Sequence, residues 1–134
     1  MMLPSGLNDT VADEEKLARF VDGSNKKNAS GANWRAFFPP LNGELSAARC
    51  GSFPAELERL AKLYLGHDET FGAAIFEAGS VRECGLDVTP SEPPEKHCNV
   101  SGWPSVQDLE EQKAMRKQKA MQLLAQVTDW IPFK

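Results

Sequence analysis

The chain is poor in the residues that most often carry chemistry, with two histidines, three cysteines and one tyrosine among 134 residues. Its cysteines, Cys50, Cys84 and Cys98, are odd in number and widely spaced, and they form neither a disulfide framework nor a C-x-x-C pair. Reduced thiols and a cytoplasmic chain fit that set. No apolar run approaches the roughly 18 residues of a membrane span. The opening stretch carries Asp9, Asp13, Glu14 and Glu15 but no basic leader, so the sequence predicts neither export nor a membrane. The N-x-[ST] triplets at Asn8, Asn28 and Asn99 need a secretory route to matter and are read as chance. Also missing are G-x-S-x-G, H-E-x-x-H, a Walker loop and G-x-G-x-x-G, which removes the commonest hydrolase, zincin and nucleotide-binding signatures. Positive charge is not in excess either. A formal net charge of -4 and a pI near 5.2 give no general attraction to nucleic acid or anionic membrane.

What is present describes one ordinary domain. Apolar residues make up 41% and charged residues 25%, close to usual globular composition. The length allows a core that needs neither disulfide nor metal. Residues 1–15 lack periodicity and read as a mobile arm, leaving 16–134 as a single α+β domain. Leu17–Val21 reads as a strand ended by the turn Asp22-Gly23-Ser24. A polar loop then leads to the apolar Trp34–Phe38, and Glu44–Cys50 reads as a second strand. Pro54 suits a first helical position, Leu57, Leu60 and Ala61 follow at helical spacing, and Gly66 ends the helix. His67–Thr70 reads as a turn, Phe71–Ala78 as a strand running into a helical turn near 80–84, and Leu86–Val88 as a strand. The longest helix is expected from a capping box at Ser105 and Asp108 to about Val127. Its core stripe would be Val106, Leu109, Met115, Leu123, Leu124 and Val127, with Arg116 and its neighbouring charges solvated. The expected architecture is a short, mainly antiparallel sheet of three to five strands, covered by the central helix and the long C-terminal one.

Few constellations survive scrutiny. Cys84, His97, Cys98 and His67 are the soft and imidazole side chains zinc prefers, but adjacent residues diverge in an extended chain and no short spacing supplies two ligands. No metal or cofactor is predicted. Cys50 follows Arg49, yet its apolar neighbours read as a buried filler rather than a nucleophile. Lys113, Arg116 and Lys117 lie at i, i+3, i+4 and could touch phosphate, but Glu110 and Glu111 are within a turn and no aromatic interleaves them. Nucleic acid therefore ranks last among the expected ligands. The richest stretch is His97–Pro104, where Gly102 allows a turn, Trp103 can seal the core and Pro104 precedes the helix. Arg49, His97 and Trp103 are the candidate ligand-binding residues. Trp130, Ile131 and Phe133 are too apolar for a free tail and are expected to pack back, or to form a homodimer contact.

The order Arg19-Phe20, Ala36-Phe37-Phe38-Pro39, Leu45-Ser46 with Arg49, Gly85-Leu86 with Val88, and His97 with Val100 and Gly102-Trp103-Pro104 resembles a group of small bacterial proteins with no assigned activity. The likeness runs from about Leu17 to Val127. It departs at Ala48 and Ala73, where members of that group carry an aromatic and an arginine. With no complete nucleophile, base or metal set, the sequence predicts a non-catalytic binding or accessory protein of a bacterial cytoplasm that takes a protein partner. The alternative is a small enzyme on a phosphate-bearing or nucleotide substrate, with Arg49 as anion clamp and His97 as acid or base.

Overall fold

A computed structural model describes residues 2–66 and 70–133, so the His67 ligand candidate and most of the turn before Phe71 lie outside the described residues. In chain order come strand β1 (Lys16–Val21), the short hairpin β2 (Lys27–Asn28) and β3 (Gly31–Ala32), and β4 (Leu45–Ala48). Helix α1 (Pro54–Leu65), β5 (Gly72–Glu77), helix α2 (Ala78–Glu83), β6 (Asp87–Pro90) and β7 (His97–Ser101) follow. Helix α3 (Leu109–Leu124) and β8 (Asp129–Pro132) close the chain. Single 3₁₀ turns cover Ser24–Lys26 and Trp34–Phe37. Six strands form one antiparallel sheet in the order β6-β7-β4-β1-β5-β8, which makes the α+β domain the sequence predicts, with one strand more than the expected maximum.

Alternation along each strand sends residues to two faces. Leu17 and Val21, Leu45 and Ala47, Ala74 and Phe76, and Cys98 and Val100 bury on one face with Phe37, Ala120 and Leu123. Ala18, Phe20, Ala48, Ala73 and Ile75 bury on the other, under Leu57, Leu60 and Ala61 of α1. The second cluster contains no residue of β6 or β7, and α1 reaches that end of its face only through Tyr64, which meets His97. Pro54 starts α1 and Gly66 ends it at φ 72°, the left-handed conformation a residue with a Cβ adopts only at a cost.

Four expectations are corrected. The 2–15 segment is docked rather than outside the core. Val11 is 2% exposed in the main cluster, and the Ala78 and Gly79 amides donate to the Glu15 and Asp13 carbonyls. β7 is a strand where the sequence reads as punctuation. Its alternating burial is real, but glycine, proline and polar residues around it mask the period. Helix α3 begins at Leu109, capped by Asp108, whose carboxylate accepts from the Glu110 and Glu111 amides, rather than from a box at Ser105. Its buried line is Arg116, Ala120 and Leu123, whereas Leu109 is 65% exposed. Trp130 packs on the main cluster and Ile131 and Phe133 on the second, because β8 pairs with β5 and sends alternate side chains to the two faces.

Candidate functional site

Arg49 and His97 do not meet. Arg49 continues β4 past Ala48, the residue paired with His97, and alternation puts the two side chains on opposite faces. The Arg49 side chain is 1% exposed. Its Nε and Nη2 donate to Glu15 at 2.9 and 2.8 Å, and its Nη1 donates to the Asn8 carbonyl at 2.6 Å. Those bonds fasten the N-terminal segment and leave no free fork for a substrate anion. Trp103 is equally committed, buried with its Nε1 donating to the Val100 carbonyl at 3.0 Å. Arg49 is therefore not placed to clamp a substrate anion.

The basic trio on α3 is also divided. Arg116 is buried, donating to the Pro104 carbonyl at 2.9 Å and the Pro40 carbonyl at 3.3 Å. Lys113 faces Glu110 at 3.8 Å. Lys117 alone is brought to something new. Its Nζ lies 4.7 Å from the centroid of the Trp34 ring, and the Arg35 guanidinium lies 4.7 Å from the same centroid. The aromatic that α3 lacks in sequence is supplied by the 3₁₀ turn Trp34–Phe37, which packs against that helix. Phe38 meets Trp34 edge to face at 6.0 Å. Asn25, Lys26, Trp34, Arg35 and Phe38 line a shallow concavity of about 340 Å³. In the sequence Trp34 is one residue of an apolar run before two prolines, and Arg35 inside that run is the signal that marks it.

His97 has a different partner. Its Nε2 is 2.6 Å from the Ser46 Oγ, and its Nδ1 is 3.0 Å from the Ser91 carbonyl. A carbonyl only accepts, so Nδ1 carries the proton. Burial pushes the His97 pKa below its ordinary value, with the Ser91 carbonyl pulling the other way. The neutral ring then presents a bare Nε2 to the Ser46 hydroxyl. Tyr64 of α1 stands edge-on to the imidazole at 5.3 Å and donates its hydroxyl to the Glu95 carbonyl at 2.6 Å.

The ladder explains how the serine is held. The Arg49 amide donates to the Lys96 carbonyl at 2.7 Å, and counting back along the β4–β7 register makes Ser46 and Asn99 a non-hydrogen-bonded pair. In such a pair the side chains stand closest, and the Ser46 carbonyl turns toward β1. β1 registers with β4 only at Ala18 and Ala48, and Arg19 supplies the missing donor, its Nη1 3.0 Å from the Ser46 carbonyl. Arg19 Nε also donates to the Ala36 carbonyl at 2.7 Å, tying β4 to the Trp34 turn. The cysteines are buried and protonated. Burial raises all three thiols, Cys98 to about 12, so they stay protonated at neutral pH. Among the described residues no three His, Cys, Asp or Glu side chains converge to hold a metal ion, and no helix is long and apolar enough to cross a membrane.

Comparison with protein families, curated proteins and solved structures finds nothing that matches the chain.

Proposed function

We propose that this is a binding protein of the bacterial cytoplasm that receives an acidic segment of a protein partner on Trp34, Arg35, Phe38 and Lys117. One observation carries the reading: Arg35 and Lys117 are both exposed, both rest on one indole, and neither has a carboxylate partner among the described residues. Lys27 likewise rests on a ring, that of Phe71, but Trp34 takes two cations. Lys26 is paired with Asp22, Arg59 with Glu56 and Glu95, Arg82 with Asp13, and Lys113 with Glu110. Trp and Arg are the residues that most often dominate binding energy at interfaces. The Arg35 fork suits a carboxylate, Lys117 adds a second charge, and the concavity beside Phe38 takes an apolar side chain from the same segment.

Nucleic acid is the weaker fit, since Arg116 is spent inside the fold and cations already stack on the indole that bases would need. The test is a titration of a fluorescein-labelled peptide of alternating Glu and Leu, with a dT oligonucleotide as comparison. The peptide is expected to bind more tightly than the oligonucleotide, and R35A/K117A to weaken it at least about tenfold, about 1.4 kcal/mol. Equal binding by the double variant, or preference for the oligonucleotide, contradicts the reading.

A further inference from the structure

We propose that Ser46, His97 and Asn99 form a nucleophilic site that transfers short acyl groups from activated esters to water. The site lies on the α1 face of the sheet, separate from Trp34, and the inference does not depend on the binding function above.

A serine becomes a nucleophile when a base accepts its proton and a third group holds that base in the right tautomer. The Ser46 Oγ stands 2.6 Å from His97 Nε2, and the Ser91 carbonyl, 3.0 Å from Nδ1, fixes the tautomer in place of the carboxylate of a triad. The third requirement is a donor for the developing oxyanion. Asn99 is the cross-strand partner of Ser46 on the same face, in the close pairing. Its Nδ2 gives one proton to Glu44 Oε2 at 3.3 Å, which leaves a second proton on the same nitrogen. All three side chains are partly exposed, because α1 packs mainly over β1, β4 and β5 and reaches β7 only through Tyr64 at His97. Serine and base are both supported from behind, Ser46 through Arg19 on its carbonyl and His97 through Tyr64 against its ring.

The reaction balances without a further reagent. Ser46 Oγ bonds to the ester carbonyl carbon while its proton passes to His97 Nε2, and the oxyanion is met by Asn99. The C–O bond to the leaving alcohol then breaks, and His97 returns the proton to that oxygen. Water attacks the acyl-serine by the same route in reverse, giving the free acid and the serine hydroxyl. The surrounding face carries Glu44, Thr89 and Ser101 rather than apolar side chains, so it suits a short acyl group and not a fatty one.

The full chain incubated with p-nitrophenyl acetate is the test, read by release of nitrophenolate and by mapping acetylated peptides. Acetyl is expected on Ser46. S46A and H97Q should each lower turnover at least tenfold, and N99A by roughly tenfold to a hundredfold, below the full loss of an enclosed oxyanion donor. The wild-type rate should rise with pH and level off below about pH 6.5, where free imidazole would still be titrating. Matching circular dichroism spectra keep a folding defect from passing as loss of chemistry. Turnover by S46A at the wild-type rate, or acetyl found only on lysines and the N-terminus, overturns the proposal.

Discussion

Three arginines do structural work that their sequence positions conceal. Arg19, Arg49 and Arg116 each donate to main-chain carbonyls that have no ladder or helix partner of their own. Burial around Arg19 lowers its pKa to about 10, which leaves it charged at neutral pH, with Asp22 opposing the shift. In one dimension Arg116 is an ordinary solvated position of an amphipathic helix, because nothing local shows that the Pro40 and Pro104 carbonyls converge on it. Replacing Arg116 by Ala takes a donor from the half-buried Pro104 carbonyl, while the Pro40 carbonyl keeps the Gly43 amide, and should cost about 1 kcal/mol, read as a shifted urea midpoint. His97 was legible as a candidate, since an imidazole beside asparagine and serine is conspicuous in a chain with two histidines. Its partner was not, because Ser46 is 51 residues away and only the β4–β7 register brings them together.

At the scale of elements, the sequence spoke clearly where one signal was enough. Pro54 and Gly66 bracket α1, and Gly66→Ala should destabilise by about 1 kcal/mol because its left-handed φ persists. Asp108→Ala should cost about 1 kcal/mol through loss of the α3 cap, with the same urea assay deciding. Signals failed where an element is defined by its neighbours. β7 is flanked by Lys96 at φ 61° and Gly102 at φ 86°, a punctuation that reads as loop although the residues between pair with β4 and β6. β8 was legible only as an apolar tail. Its docking depends on Gly72, where a Cβ would meet the Ile131 carbonyl oxygen at 2.5 Å and the Trp130 ring at 2.7 Å. Gly72→Ala should therefore loosen β8 and red-shift the Trp130 emission, while Ala73→Gly should leave that emission in place.

For the molecule as a whole, the edge strands of the sheet present occupied or missing amides on their outer sides. β6 ends in Pro90, and its Val88 amide donates to the Asp87 carboxylate at 2.8 Å, while β8 ends in Pro132. The docked N-terminal segment ties stability to pH. Burial raises the Glu15 pKa, but the Arg49 hydrogen bond, the Ala12 amide and the charges of Arg49 and Arg82 outweigh it and leave the value lowered. Its contribution is full above the ordinary carboxylate value near 4.3 and is lost as pH falls through the lowered one. His97 has the same sign, full above about 6.5 and lost on acidification. The melting temperature should thus fall from pH 7 toward pH 4, with H97Q flattening the upper part of that curve and Glu15→Gln the lower. Net charge alone gave the sequence no reason to expect an anion-binding surface. The proposed surface rests on the packing of α3 against the Trp34 turn, which brings Arg35 and Lys117 to one indole.

Trp34 therefore carries the central claim, and the chain offers its own internal controls in Trp103, which is buried, and Trp130, whose ring lies over Gly31 and Gly72 rather than beside Arg35 and Lys117. In a ¹⁵N-labelled sample the three indole N–H signals can be followed together while the Glu–Leu peptide is added. The Trp34 signal should move with the peptide, and move back as salt is raised, while those of Trp103 and Trp130 hold still. A titration that leaves Trp34 in place, or shifts all three indoles equally, would contradict the account.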